Sequence, residues 1–186
     1  VAHVVGLAAD LNALHFPDAD DIGGDRFSAR QVSSRVGCTL DELAAEWDAE
    51  APVFEGGLRE FGYEFGSHFV ADLHAHFHDV RAALSLPDDP DPVAVRVALD
   101  HYLGHIDEQL IARGEGQVRL VAGELDRTLG RGAVVATLHT EPFTLLRSLS
   151  ARRSLREVRA LPWDGDVDRA LALIVAAFDG GYSFPP

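Results

Sequence analysis

The sequence predicts an α+β protein of two parts, a helical bundle followed by a small α+β domain. Long segments whose apolar residues recur three and four positions apart fill the first part. The stretch 113–116 contains two glycines, and the segments after it are rich in β-branched residues. We therefore expect a helical domain over residues 1–112, a linker over 113–116 and an α+β domain over 117–186. A chain of 186 residues is long enough to bury a sizeable core.

The first two helices are predicted from an apolar stripe and a capping motif. Residues 1–15 carry one apolar stripe, and an acidic loop over 16–26 follows. The second helix should begin at the capping box Thr39-x-x-Glu42, whose side chains satisfy backbone donors of the first turn. Its apolar residues alternate three and four positions apart, as in a bundle: Leu40, Leu43, Trp47, Ala51, Phe54, Leu58 and Phe61.

Two further helices complete the predicted bundle. The third should run over about residues 63–84 and end before the segment 87–90, in which two prolines flank two aspartates. The fourth should begin at Asp91-Pro92, because aspartate caps a helix and proline suits its first turn, and should continue to Ala112.

The second part is predicted to contain strands and shorter helices. Two segments rich in β-branched residues are bounded by glycine or threonine, and helical periodicity resumes after them. The capping box Ser154-x-x-Glu157 opens one of these helices. The expected strands are 118–122 and 133–140, and the expected helices are 142–149, 155–161 and 167–178.

Charge and composition exclude several classes of partner. The formal net charge is −14, and every cation is arginine because the chain has no lysine. Such acidity argues against nucleic acid or an anionic membrane as a partner. The single cysteine, Cys38, excludes an internal disulfide and favours the reducing cytoplasm. Arginine in place of lysine, with abundant alanine and valine, suggests a high-GC genome.

Asp72 and His76 form the motif most indicative of function. They lie four residues apart on the third predicted helix, so both side chains should point in the same direction, with Leu73 and Val80, toward the core. Burying a carboxylate or an imidazole without a partner costs on the order of 2–7 kcal/mol or more. A bound divalent metal would remove this cost, and so would an Asp–His hydrogen bond.

The other histidines of these helices are assigned lesser roles. His74 and His78 should lie on the opposite, solvated face of the third helix. His68 lies one turn before Asp72 on the same side of the predicted helix, and we interpret it as a further ligand or as a neighbour of the site. His101 and His105 form a separate pair four residues apart, which we interpret as structural or as a support for the site.

Four segments, in the right order, resemble the mycothiol-dependent maleylpyruvate isomerase family nearly end to end. Residues 1–8 resemble the family's second helix, which carries a metal-binding histidine. Residues 43–47 resemble the helix around a characteristic tryptophan. Residues 72–81 resemble the acid-x-x-x-His segment that supplies two further ligands. Residues 150–154, together with 158–166, resemble the segment that closes the family's C-terminal domain.

The resemblance implies a fold, a metal site and a cofactor. The first part would be a DinB-like four-helix bundle, and the second a domain similar to sterol carrier proteins. The metal ligands would be His3, Asp72 and His76, which suit zinc and leave coordination positions open. Mycothiol would be activated there as a thiolate, which adds to the cis double bond of maleylpyruvate and leaves after rotation.

An arginine of the second domain is also implied, because a dicarboxylate substrate in an acidic protein needs local positive charge. The candidates are Arg147, Arg152 and Arg153 of the second domain and Arg81 after the metal segment, and Arg152 is assigned the catalytic role. Two alternatives remain. The chain could be another mycothiol-dependent S-transferase, or it could be a non-catalytic protein that binds a small ligand or senses a metal or thiol.

Three departures from the family pattern qualify the resemblance. Asp72 stands where the isomerase has glutamate, so its carboxylate reaches one methylene less far. Ala151 replaces a glycine that usually precedes the paired arginines. The sequence begins at the family's second helix, so the bundle is expected to lack its first helix and to expose an apolar groove that a second copy of the chain would cover.

Overall fold

The computed structural model describes residues 1–18 and 25–178. It confirms the predicted α+β class: the described residues form eight helices and a four-stranded mixed sheet. The helices are α1 (Ala2–Asn12), α2 (Asp25–Ser33), α3 (Leu40–Phe61), α4 (Tyr63–Ala83), α5 (Pro92–Arg113), α6 (Pro142–Leu149), α7 (Leu155–Arg159) and α8 (Val167–Ala177). The strands are β1 (Gly116–Ala122), β2 (Leu125–Arg131), β3 (Val134–Thr140) and β4 (Trp163–Gly165). Among these helices, none has both the length and the apolar character that crossing a bilayer requires.

Packing divides the chain into two compact units, Val1–Gly66 and Ser67–Pro186. In the second unit α5 continues almost directly into the sheet, because only Gly114 and Glu115 separate it from β1. Gly114 ends the helix in the left-handed conformation, with φ +67°. The division into domains over residues 1–112 and 117–186 stays a prediction.

The first unit is built on α1, which packs against both α2 and α3. Val5 and Ala8 of α1 are buried, as are Leu43 and Ala51 of α3. The predicted capping box at the start of α3 is confirmed: the Thr39 hydroxyl accepts the backbone N–H of Glu42, whose carboxylate accepts the backbone N–H of Thr39. Local capping therefore sets the start of α3.

The second unit is a sheet covered on one face by helices. The strand order is β2-β1-β3-β4, with β1 antiparallel to β2 and parallel to β3, and with β4 antiparallel to β3. Alternate residues of the strands point inward and pack against α5, α6 and α8. The core includes Val118, Leu120, Ala122, Leu129, Ala136, Leu138, Leu99, Leu103, Ile106, Leu145, Leu149 and Ile174.

The chain passes from β2 to β3 in a tight crossing. Arg131 lies beside Gly116 and Val134 beside Gln117, so the connection of two residues crosses the start of β1. Gly130 has φ +92°, and a Cβ there would lie 2.6 Å from the carbonyl oxygen of Gly116. A side chain at residue 130 is therefore incompatible with this crossing.

Three elements were not predicted from the sequence. The strand β2 has one buried residue, Leu129, so its sequence shows no alternation of apolar and polar residues. The strand β4 has only three residues. The helix α2 begins at Asp25, so the predicted acidic loop over 16–26 extends two residues too far, and its residues 19–24 lie outside the described part of the chain.

Candidate metal centre

The Asp72–His76 pair lies on α4, within the second unit. His76 Nε2 and Asp72 Oδ1 are 3.3 Å apart, and both side chains are half-buried. Their separation of four residues brings the two groups together on consecutive turns of one helix. With zinc–ligand bonds of about 2.0–2.1 Å, two ligand atoms of a tetrahedral site lie about 3.3–3.4 Å apart. The pair therefore has coordination spacing, although an Asp–His ion pair has the same spacing.

Asp79 lies beside the second ring nitrogen of His76. The distance from His76 Nδ1 to Asp79 Oδ2 is 3.7 Å, longer than a hydrogen bond but within ion-pair range. The imidazole thus lies between two carboxylates, one near each nitrogen. A metal-binding histidine typically has such a carboxylate at the nitrogen that does not bind the metal.

Two arginines converge on Asp79. Arg147 Nη1 donates to Asp79 Oδ1 at 2.8 Å, and Arg152 Nε donates to Asp79 Oδ2 at 3.3 Å. Arg152 also donates to the carbonyl of Ser150 at 2.8 Å. The structure therefore places Arg152, the residue selected from the sequence, one side chain away from His76. Sequence reasoning missed Asp79, although its spacing of three residues from His76 on a helix was a usable signal.

The other arginine candidates have different surroundings. Arg81 donates two bonds to the carbonyl of Pro87, at 2.9 and 2.7 Å, and so holds the segment after α4. The Nε of Arg153 is buried without a hydrogen-bond partner. In the described part of the chain, the arginines that bond to Asp79 are therefore Arg147 and Arg152.

His3 lies on α1, in the first unit, where Gln31 orients its ring. His3 Nδ1 and Gln31 Oε1 are 2.7 Å apart, and Gln31 Nε2 donates to Asp10 Oδ2 at 3.0 Å. Because the Gln31 amide nitrogen faces the Asp10 carboxylate, its oxygen faces His3 and accepts the Nδ1 proton. The lone pair of neutral His3 is therefore on Nε2. Sequence reasoning missed both Gln31, which is 1% exposed, and Asp10.

The prediction that His74 and His78 are solvated is wrong. They are 9% and 1% exposed, whereas Leu73 and Val80 are 41% and 42% exposed. Both imidazoles pack near Phe143 of α6, with ring centroids 6.1 and 4.5 Å away. The buried residues of α4 are Ser67, Phe69, Ala71, Ala75 and these two histidines. Burial, and then the neighbouring His78, lower the pKa of His74.

The second unit also contains a cavity of about 720 Å³. Its walls include Val95 and Leu99 of α5, Leu125 of β2 and Phe143 of α6, while Arg96, Asp100, Glu124, Asp126, Arg127 and Glu141 supply charge. This volume suits a small molecule. No residue of the Asp72–His76–Asp79 group lines it.

Comparisons of the chain with protein-family models, with curated proteins and with solved structures gave no significant match.

Proposed function

We propose that this chain is a metal-dependent and mycothiol-dependent isomerase resembling maleylpyruvate isomerase, acting in the cytoplasm on a small dicarboxylate. In this proposal the first helices belong to a DinB-like bundle and the second part resembles a sterol carrier domain. The observation that carries the proposal is the half-buried Asp72–His76 pair at coordination spacing, with Arg147 and Arg152 gathered next to it. A second copy of the chain, covering the bundle, remains part of the proposal.

The donor set fits a zinc-type ion. Asp72 and His76 offer one oxygen and one nitrogen 3.3 Å apart. His3, implied as the third ligand by the resemblance, is held by Gln31 in the tautomer whose Nε2 carries a lone pair. Two imidazoles and one carboxylate leave open positions, as in catalytic rather than structural zinc sites. A bound metal would lower the pKa of a coordinating thiol.

The arginines supply the charge that a dicarboxylate needs. Asp79 is shared by two guanidinium groups, so the trio of Asp79, Arg147 and Arg152 has a net positive charge in an otherwise acidic chain. Arg147 also donates to the carbonyl of Ala75 at 3.4 Å, which ties it to α4. We assign Arg152 to substrate binding because its side chain is the more exposed of the two, 24% against 16%.

A second candidate is a non-catalytic protein that binds a small apolar ligand. The 720 Å³ cavity favours this function, because apolar side chains such as Leu99 and Phe143 form part of its wall and none of the proposed metal ligands lines it. Such a protein would need neither metal nor thiol. Another mycothiol-dependent S-transferase would need both, and only the substrate would distinguish it from the isomerase.

Metal content per chain is the first test. We expect the transition-metal content of tag-free protein to be about one equivalent lower in Asp72→Ala and in His76→Ala than in the wild type, because each variant removes one of three ligands. The matched control is His139→Ala, an exposed histidine of β3 paired with Asp164. Plasma mass spectrometry measures the metal, and circular dichroism checks the fold.

Turnover of maleylpyruvate with mycothiol is the second part of the test. Activity that requires both the thiol and the metal supports the isomerase, and Arg152→Ala should then raise KM more than it lowers kcat. A wild-type protein that holds no more metal after reconstitution than Asp72→Ala contradicts the proposal and leaves the binding protein.

A further inference from the structure

His68, His101 and His105 of the second unit lie outside the proposed site. His68 lies on α4, one turn before Asp72, and His101 and His105 lie one turn apart on α5. The Nδ1 of His68 and the Nε2 of His101 are 3.3 Å apart. Their ring centroids are 5.0 Å apart, and the rings are inclined at 65°. Two imidazoles from different helices therefore face each other through ring nitrogens.

The two rings are suited to share a cation. Burial, and then the neighbouring His68 and His105, lower the pKa of His101 to about 4. His101 is therefore neutral at neutral pH, and no proton has to be displaced from an imidazolium there before a metal binds. In the metal-free protein one ring donates its N–H to the lone pair of the other. A change of tautomer moves that proton to the outer nitrogen and leaves both facing nitrogens as acceptors.

The spacing of the two nitrogens is that of a shared metal ion. Two ligands bonded to tetrahedral zinc at about 2.0–2.1 Å lie about 3.3–3.4 Å apart, which matches the 3.3 Å separation. His68 is exposed, so water can occupy the remaining positions. His105 lies one helical turn beyond His101 on α5.

We propose that His68 and His101 form a second metal site, separate from the Asp72–His76 pair, that binds Zn²⁺ or another divalent ion preferring imidazole. Imidazole favours zinc, copper and nickel over magnesium and calcium. The net charge of −14 raises the local concentration of any cation. Because its ligands come from two helices, the ion links α4 to α5 and stabilises the folded chain.

The test uses a variant that lacks the Asp72–His76 pair, so that only the second of the two sites can bind the metal. In full-length Asp72→Ala/His76→Ala protein we titrate Zn²⁺ by calorimetry and follow the thermal unfolding midpoint. We expect one equivalent to bind and the midpoint to rise, and we expect both effects to be lost when His68→Ala is added. His68 is exposed, so this substitution does not threaten the fold.

The controls distinguish zinc held by His68 and His101 from zinc bound elsewhere on the chain. His101→Gln should also abolish binding, His139→Ala should leave it intact, and Mg²⁺ should produce no heat. Zinc binding that persists in the His68→Ala background, or the absence of any binding in the Asp72→Ala/His76→Ala background, overturns the inference. Either result leaves the isomerase proposal standing, because that proposal depends on the metal and activity of the wild-type chain.

Discussion

At the scale of single residues, Gln31 determines which nitrogen of His3 can act as a ligand. Its amide spans Asp10 and His3, at 3.0 and 2.7 Å, and it is almost completely buried. A ligand histidine whose other nitrogen is held in this way is more basic and better oriented. If His3 binds a metal, the loss of Gln31 should weaken that binding, and the affinity for the metal therefore tests the role of Gln31.

We expect Gln31→Leu to weaken metal binding by about 10–100-fold, because His3 loses the acceptor that selects its tautomer. Competition with a chromophoric chelator measures the affinity. Ser34→Ala is the matched control, because Ser34 lies on the same segment and bonds only to local groups. An unchanged affinity in Gln31→Leu would remove His3 from the ligand set.

His101 gives the metal-free protein a defined pH dependence. Its pKa in the folded state is about 4, below the value of about 6.5 expected in the unfolded chain. The unfolded chain therefore binds more protons between these values. The stabilisation is fully present above about pH 6.5 and is lost as the pH falls toward 4.

We expect His101→Gln to flatten this dependence. The free energy of unfolding in urea, measured with EDTA at several pH values between 4 and 7, should fall less steeply with decreasing pH than in the wild type. Gln117→Ala is the control and should retain the wild-type slope, because the Gln117 side chain has no ionisable group. Parallel curves for His101→Gln and the wild type would show that His101 does not titrate differently in the two states.

At the scale of secondary structure elements, the end of α6 carries local strain. Ala151 follows this helix with φ +55°, in the left-handed region that costs a residue with a side chain about 1–2 kcal/mol. The resemblance had marked this residue as one where the family has glycine. Glycine would adopt this positive φ without a steric penalty.

We expect Ala151→Gly to raise the free energy of unfolding by about 0.5–1 kcal/mol. The substitution relieves the backbone strain of the folded state, and the greater conformational freedom of glycine in the unfolded chain offsets part of that gain. Urea unfolding of metal-free protein measures it. Ala160→Gly is the control, because Ala160 ends α7 with φ −78° and should lose stability instead. A loss of stability in Ala151→Gly would mean that the strain is absent in solution.

Helix ends and strands differed in how well the sequence predicted them. The capping boxes at Thr39 and Ser154 and the cap at Asp91 were predicted at the residues where they occur, because capping involves only residues two or three positions apart. The strands β1 and β3 were predicted from their buried, β-branched runs. The strand β2 was missed because it lies at the edge of the sheet and pairs on one side only.

At the scale of the whole molecule, charge is distributed unevenly. The chain carries a net charge of −14, yet Arg147 and Arg152 of the second unit meet at a single carboxylate. Net acidity disfavours the approach of a polyanion at long range, whereas at short range a pair of arginines can still bind a small anion. The net charge therefore disfavours nucleic acid as a partner, on electrostatic grounds, without identifying a ligand.

The sequence by itself determined the α+β class, most of the helices and the Asp72–His76 pair, because periodicity, capping and spacing of four residues act within a few residues of chain. Only the tertiary structure decided which side of α4 is buried, and therefore that His74 and His78 lie inside. It also joined His3 to Gln31, Asp79 to Arg152 and His68 to His101. These partners are 28, 73 and 33 residues apart, and no local pattern encodes a contact that packing alone creates.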